Sequence, residues 1–283
     1  MNDKIKIFVI GHKPFGIPKS DVLVPVIAGA KNKDLSKFAD NKFLRDDIGE
    51  NISDKNSFYS ELTAQYYVMK NIDVDYYGFF HYRRYLNFSE KTNKRPYVYF
   101  TKDVEKLGNF IDIENAENII SKYDLLLPRP EHFHMSVKKH YETSKNHIYK
   151  NALQNILDIT KEIYTEYLED IDSYIEGYEN YLGNMYIMKK EIAYEYFNFL
   201  FNVFEKFDSI YKDVPQRTQG FLSERLFGVF FNHMKRTTDI KYKFLQRVDV
   251  LKYYDKKLLR RLSYCILPPS SKFRAMVKSA IKK

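Results

Sequence analysis

Apolar residues in this chain follow two patterns. Some form short unbroken runs closed by glycine or proline, and others recur every three or four positions over longer spans. The runs predict buried strands, and the recurrences predict helices with one apolar face. Residues 5–10 are the first run, closed by the turn Gly11-His12-Lys13-Pro14. Residues 22–30 hold Pro25 and Gly29, which predicts an edge strand or an extended segment, because proline cannot donate to a ladder. Residues 31–56 are polar and irregular, and so long a loop in a compact domain is usually functional. Phe58, Leu62, Tyr66 and Met69 then mark a helix that Asn56 or Ser57 caps and Asn71 ends. It leads into Tyr76-Tyr77-Gly78-Phe79-Phe80, an aromatic run that predicts a buried strand.

The alternation continues. Residues 87–112 read as a mixed excursion, 113–122 as a helix, and Tyr123-Asp124-Leu125-Leu126-Leu127-Pro128 as a short strand stopped by proline. Residues 149–169 predict a helix, 184–188 a strand, 191–207 a helix rich in aromatics, 216–220 a loop, 221–234 a helix, and 241–251 a last strand. Strands alternating with helices predict an α/β fold, a single sheet with helices on both faces. No repeat or low-complexity linker divides residues 1–250, which are assigned to one domain, with 251–283 as a separate tail.

Charge sharpens that division. The formal net charge is +9, and residues 250–283 carry all of it, with ten Lys and Arg against the single acid Asp255. The domain itself is therefore neutral, which argues against a nucleic-acid binder. After Pro268-Pro269, the residues Phe273, Met276, Val277, Ala280 and Ile281 fall at helical spacing, with Lys272, Arg274 and Lys278 between them. This is the pattern of a basic amphipathic helix on an anionic membrane surface, and also of a helix packed on the domain with its lysines solvated. No apolar run reaches membrane-spanning length. The 5–10 run contains Lys6 and has no small-residue cleavage site, so it reads as a strand and not a signal peptide. The single Cys265 excludes an intramolecular disulfide and points to a reducing cytoplasm.

The strand at 76–80 ends in His81-Tyr82-Arg83-Arg84, up to three cationic donors where α/β strands deliver functional groups. A guanidinium pair suits a phosphate; the alternative is that these arginines merely pair with nearby acids. Asp73-x-Asp75 is a pair of the kind that holds a divalent cation against a diphosphate, yet it precedes the strand instead of following it. The cations could neutralise a diphosphate leaving group in a metal's place, and no cofactor is called for. His132 and His134, with His140 and His147 downstream, could ligate zinc, or serve structure or substrate contact. Glu224 could act as general base toward a hydroxyl, or be a first-turn acid favoured by the helix dipole. P-loop, dinucleotide and serine-elbow motifs are absent from the sequence.

Asn56-x-x-Tyr59-Ser60-Glu61-Leu62-Thr63-x-x-Tyr66, followed by Tyr77-Gly78-x-x-His81-Tyr82-Arg83-Arg84-Tyr85, resembles a bacterial family long labelled a domain of unknown function. That family occurs in capsular and exopolysaccharide gene clusters, and its members are regarded as glycosyltransferases, some of them galactofuranosyltransferases. The 124–128 strand, Asn184-Met185-Tyr186-Ile187-Met188-Lys189-Lys190-Glu191 and Gly220-Phe221-Leu222-Ser223-Glu224-Arg225-Leu226 match the same pattern, so it covers roughly residues 5–235 in order. The resemblance implies a GT-A-like nucleotide-sugar fold. It implies a hexosyltransferase that moves a sugar, galactofuranose among the candidates, from a UDP-sugar to a glycan acceptor in surface-polysaccharide assembly. It supports His81, Arg83, Arg84, Asn56, Glu61, Asn184, Glu224 and Arg225 as site residues.

The roles expected on that basis are these. Gly11, His12 and Lys13 approach the nucleotide, with Asn56, Glu61, Tyr82, Asn184 and Arg225 also at the donor site. Arg83, Arg84 and His81 stabilise the departing nucleoside diphosphate, and Glu224 deprotonates the acceptor for a single inverting displacement. A lipid-linked acceptor would explain the tail and place the protein in the cytoplasm, peripheral on the inner face of the cell membrane. Two other readings compete: a non-catalytic nucleotide-sugar or glycan-binding module, and a metal-dependent phosphotransferase or nuclease using Asp73, Asp75 and the histidines.

Overall fold

The computed structural model describes residues 4–38, 43–89, 98–101, 107–108, 113–250, 267 and 272–281. Four parallel strands, β1 (Ile5–Gly11), β2 (Leu23–Ile27), β3 (Leu44–Arg45) and β4 (Tyr76–His81), lie in the order β3-β2-β1-β4. Beyond β4 the sheet turns antiparallel. β10 (Tyr186–Lys189) lies between β4 and β7 (Leu125–Pro128). β11 (Tyr242–Val250) runs parallel to β7, and then pairs with β5 (Arg84–Asn87) and β6 (Val98–Thr101). β5 returns to β4 through the single pair His81–Arg84, so β4, β10, β7, β11 and β5 close a small ring. A separate ribbon joins β8 (Glu131–His132) to β9 (Glu179–Asn180).

Both faces of the sheet are covered, as the unbroken apolar runs require. Phe8, Ile10, Tyr77, Phe79, Tyr186 and Met188 face one core, and Ile7, Val9, Phe80 and Ile187 alternate with them into the other. The first core is filled from α2 (Leu62–Asn71), α5 (Ala152–Ile163), α6 (Leu168–Glu176), α7 (Lys190–Ile210) and α8 (Thr218–Thr237). The second receives Ala116, Ile119 and Ile120 of α3 (Ile113–Ile120). Burying each such side chain stabilises the fold by about 1.5–3 kcal/mol. Gly78 lets β1 and β4 approach, because a Cβ there would stand 2.8 Å from the Ile7 side chain.

Several expected boundaries move. Residues 22–30 are no edge strand: Pro25 sits opposite Val9 and two residues of the irregular 31–56 segment pair outside it as β3. The helix expected over 58–71 is two helices, α1 (Asn56–Tyr59) and α2, broken at Ser60 with φ 54° and ψ −130°. Asn56 caps neither; its amide donates to the Ser60 carbonyl at 2.7 Å and to the Thr63 hydroxyl at 3.1 Å. The 149–169 span likewise breaks at Tyr164–Tyr167 between α5 and α6. α8 starts at Thr218, so Gln219 and Gly220 are helical and Glu224 lies in the second turn, beyond a first-turn dipole role. In the tail, α9 (Lys272–Ile281) is present, with Phe273 61% and Met276 64% exposed. Leu258, Leu259, Leu262, Cys265 and Ile266, which read in the sequence as a further apolar stripe, lie outside the described residues. No helix among the described residues is long and apolar enough to cross a membrane.

Candidate functional site

The carboxyl ends of β1 and β4 open into a cleft of about 410 Å³. β1 and the bend after it supply Ile10, Gly11 and His12, and β4 and the turn after it supply His81 and Arg83. The α1–α2 break supplies Asn56, Ser57, Ser60 and Glu61, and the segment entering α8 supplies Gln216 and Arg217. Parallel strands end together at such an edge, so their terminal side chains converge. Gly11 is needed there because a Cβ would meet the Phe15 ring at 2.2 Å. The α1–α2 break is held from behind by Asp46. This buried carboxylate accepts from the Gly29 and Ala30 backbone N–H groups and the Ser53 and Thr63 hydroxyls, at 2.6–2.9 Å.

The cleft is cationic, and its cations are not neutralised. Among the described residues neither Arg83, Arg84 nor Arg217 has an acid within ion-pair distance. Burial, with Lys13, Lys33, Arg83 and Arg217 nearby, lowers the pKa of His12. Burial followed by Arg84 and Arg83 brings His81 down to about 3, so it is a neutral hydrogen-bonding group and not the third cation counted from the sequence. Its Nδ1 accepts from the Arg83 backbone N–H at 3.3 Å, which leaves Nε2 as the donor. Arg217 holds a left-handed backbone (φ 67°), donates its N–H to Ser57 O at 2.9 Å, and lays its guanidinium 4.8 Å from the Phe221 ring centre. An ordinary residue in that conformation is strained, and such strain concentrates at functional sites.

Arg83 and Arg84 do not form the clamp expected of them. Arg83 lies in the two-residue turn between β4 and β5, whereas Arg84 already opens β5. Arg83 lines the cleft, and Arg84 leans toward Gly183, where an added Cβ would stand 3.2 Å from its Nη1. Arg84 thus lies nearer the acids Glu224 and Glu131, whose pKa values it lowers against the effect of burial. Glu61 lines the cleft and accepts from the Asn184 amide at 2.8 Å. Glu224 accepts from the Gly183 N–H at 2.7 Å and from Arg225 Nη1 at 2.7 Å. Burial raises the pKa of Glu224, Arg225 opposes this, and Glu61 adds to it. Arg225 is itself buried, donates to Phe221 O at 3.0 Å, and lies over the Tyr141 ring.

Other expected residues hold the site without lining it. Tyr82 packs beneath it against His12, His81 and Phe15. Asn184, left-handed at φ 47°, is buried between Glu61, Gly220 and Ser223. Lys13 is exposed at the rim. The histidines are dispersed: His132 meets Glu179 at 3.6 Å, His140 stacks on Phe133, and His147 binds the Tyr141 carbonyl. Among the described residues, no three His, Cys, Asp or Glu side chains converge as metal ligands would. Asp73 bonds Lys190 at the start of β4, about 20 Å of strand from His81. Arg217, Ser57, Ser60 and Asp46 were missed. The only signals for them are an arginine just ahead of a helix and an acid in an unusually long loop.

These features define a mixed α/β domain with a cationic cleft at the carboxyl edge of its parallel strands. The chain belongs to the family described as Domain of unknown function (DUF4422), which matches residues 6–236. No protein of curated function matches it in sequence. Among solved structures it is similar to the WbbM bifunctional glycosyltransferase in its apo form, with TM-score 0.79 and 29% identity. That likeness covers 87% of this chain and 45% of the other, so the chain spans under half of its neighbour's length.

Proposed function

We propose that this chain is a GT-A-like glycosyltransferase that moves a sugar from a nucleotide-sugar donor, of the UDP-sugar class, to a glycan acceptor. The observation that carries the reading is the unpaired pair Arg83 and Arg217 in a cleft that Glu61 also lines. Guanidinium groups held without carboxylate partners are prepaid for an anion. The likeness to a bifunctional glycosyltransferase supports the same class of chemistry.

In this reading Gly11, His12 and Lys13 border the nucleotide. Glu224 accepts the proton of the acceptor hydroxyl, whose oxygen attacks the anomeric carbon. The bond from that carbon to the diphosphate breaks, and its electron pair leaves with the diphosphate oxygen. Arg83 and Arg217 compensate that charge, neutral His81 donates from Nε2, and the Gly183 N–H and Arg225 keep Glu224 oriented. One such displacement inverts the anomeric centre. Glu61, which lines the cleft, is a second candidate base.

A galactofuranose donor and a lipid-linked acceptor remain part of the proposal. The exposed Phe273 and Met276 of α9 support attachment to an anionic membrane surface. A mass-spectrometric screen of nucleotide sugars with glycan acceptors tests the reading. Donor-dependent release of nucleoside diphosphate together with a glycan gaining one sugar is the expected result. Nucleotide-sugar binding without turnover would make the chain a binding module. Flotation with anionic liposomes, with and without residues 254–283, tests the tail.

A further inference from the structure

A second concavity is larger than the cleft. A groove of about 570 Å³ runs between α2 and α7, and a further 270 Å³ hollow continues it past Tyr211 and Val214 toward Gln219. We infer that this groove binds a neutral oligosaccharide chain, the extended acceptor of the reaction proposed above.

Three observations carry the inference. The first is the make-up of the groove. On α7, Tyr194, Asn198, Phe201, Asn202, Glu205 and Asp208 all line it, at i, i+4, i+7, i+8, i+11 and i+14, a single stripe about 20 Å long. Tyr194 is 38% exposed, and Phe201 packs edge-on to Tyr66 at 4.9 Å. Flat rings interleaved with amides fit the alternating apolar faces and hydroxyl edges of sugar rings, which a protein helix or a lipid chain does not offer. The Asn198 amide has no hydrogen-bond partner among the described residues.

The second observation is charge. The lysines of this groove are matched by acids. Lys70 pairs with Glu50 at 3.1 Å and Lys55 with Asp208 at 3.5 Å, while Lys212 donates to the Asp208 carbonyl at 2.7 Å and Glu205 lines the same groove. The groove is therefore close to neutral where the cleft is cationic, so it suits an uncharged polyol and not a second nucleotide.

The third is position. α1 is a wall shared by both sites: Lys55 and Tyr59 line the groove, while Asn56, Ser57 and Ser60 line the cleft. The backbone bond from Arg217 N to Ser57 O joins that wall to the cationic rim. A chain lying along α7 and crossing the Gln219 hollow would bring one end to the cleft.

The inference uses the glycosyltransferase reading to identify the chain as an acceptor; binding itself can be measured without turnover. A panel of neutral tetra- to hexasaccharides of glucose, galactose, mannose, rhamnose and N-acetylglucosamine is titrated by calorimetry against the full chain, with UDP as a separate ligand. At least one oligosaccharide is expected to bind, with affinity rising with length. Tyr194→Ala, at an exposed position, and Phe201→Ala are expected to weaken it about tenfold and leave UDP binding at the wild-type value. No binding to any member, or equal binding by both variants, overturns the inference. So does a dimer seen by light scattering that both variants abolish, which makes the groove a protein interface. Glycan binding without UDP binding would leave the groove standing and remove the donor-site reading.

Discussion

The Asn184 amide donates a 2.8 Å hydrogen bond to the Glu61 carboxylate across 123 residues of sequence. The same amide reaches Gly220 O at 3.3 Å, and its oxygen accepts from the Ser223 hydroxyl at 3.0 Å. One side chain thus ties the turn before β10 to the head of α2 and to α8, the elements that carry both candidate carboxylates. Its left-handed backbone is the strain that this bonding holds in place.

Asn184→Ala removes these bonds and leaves the buried Ser223 hydroxyl only its 3.0 Å bond to Gly220 O. The expected loss of stability is about 1–3 kcal/mol, read as a lower urea midpoint at unchanged slope. Asn184→Gly loses the same bonds but suits φ 47°, so it is expected to lose less. Equal losses would mean that the backbone is not strained.

Much of the scaffold is legible in the sequence, and the reasons are local. The strand at 76–81 is found from its aromatic run because a pleated strand buried on both faces needs no partner to declare itself. Its cationic end is found because chemistry at a strand's carboxyl terminus has no folding purpose. What fails is set from outside the segment. The Ser60 break is imposed by α8: an added Cβ on Gly220 would stand 2.9 Å from the Ser60 hydroxyl. Gly220, read as a loop breaker, stays helical for that same close approach. Arg217 joins Arg83 only through the fold, and Arg84 leaves it because Arg83 sits in the turn after β4 while Arg84 already belongs to β5.

Arg83→Ala and Arg217→Ala each remove one unpaired cation from the cleft while leaving no acid bereft. Each is expected to weaken UDP binding by about 10- to 100-fold, from the 1.5–3 kcal/mol of a charge-assisted hydrogen bond. The urea midpoint is expected to stay within the error of the wild type. Arg83→Lys should restore part of the affinity, since it returns the charge without the fork. Calorimetry with UDP reads all three, and undiminished binding in both alanine variants removes these residues as the anion clamp.

Four histidines couple stability to pH, His12 through burial and its neighbouring cations and three more strongly. His81 is lowered to about 3 by burial, Arg84 and Arg83, and His140 and His147 to about 4 by burial and Arg225. An unfolded histidine titrates near 6.5. Between pH 6.5 and about 4 the unfolded chain therefore binds protons that the folded chain refuses, and stability falls as pH falls. The slope is up to about 1.4 kcal/mol per pH unit for each histidine, with no contribution above pH 7. Glu224, raised by burial, acts in the opposite sense with a single proton. Urea midpoints at pH 7 and pH 5 are expected to differ, and His147→Gln is expected to shrink that difference. An unchanged difference would mean that His147 is not held neutral.

Glu224 and Glu61 can be separated by the pH dependence of transfer. A general base must be ionised, so activity is lost below its pKa. Burial first, with Glu61 adding to it against the pull of Arg225, raises the pKa of Glu224 above the ordinary carboxylate range. The acid limb of kcat is therefore expected to lie above that range if Glu224 is the base. Glu61→Gln removes the like charge and should move the limb down while keeping most of kcat. Glu224→Gln should lower kcat by 10²-fold or more, since a positioned base contributes about 10²–10⁴, and leave UDP binding unchanged because Glu224 does not line the cleft. A large loss of kcat in Glu61→Gln, with Glu224→Gln active, would transfer the role to Glu61.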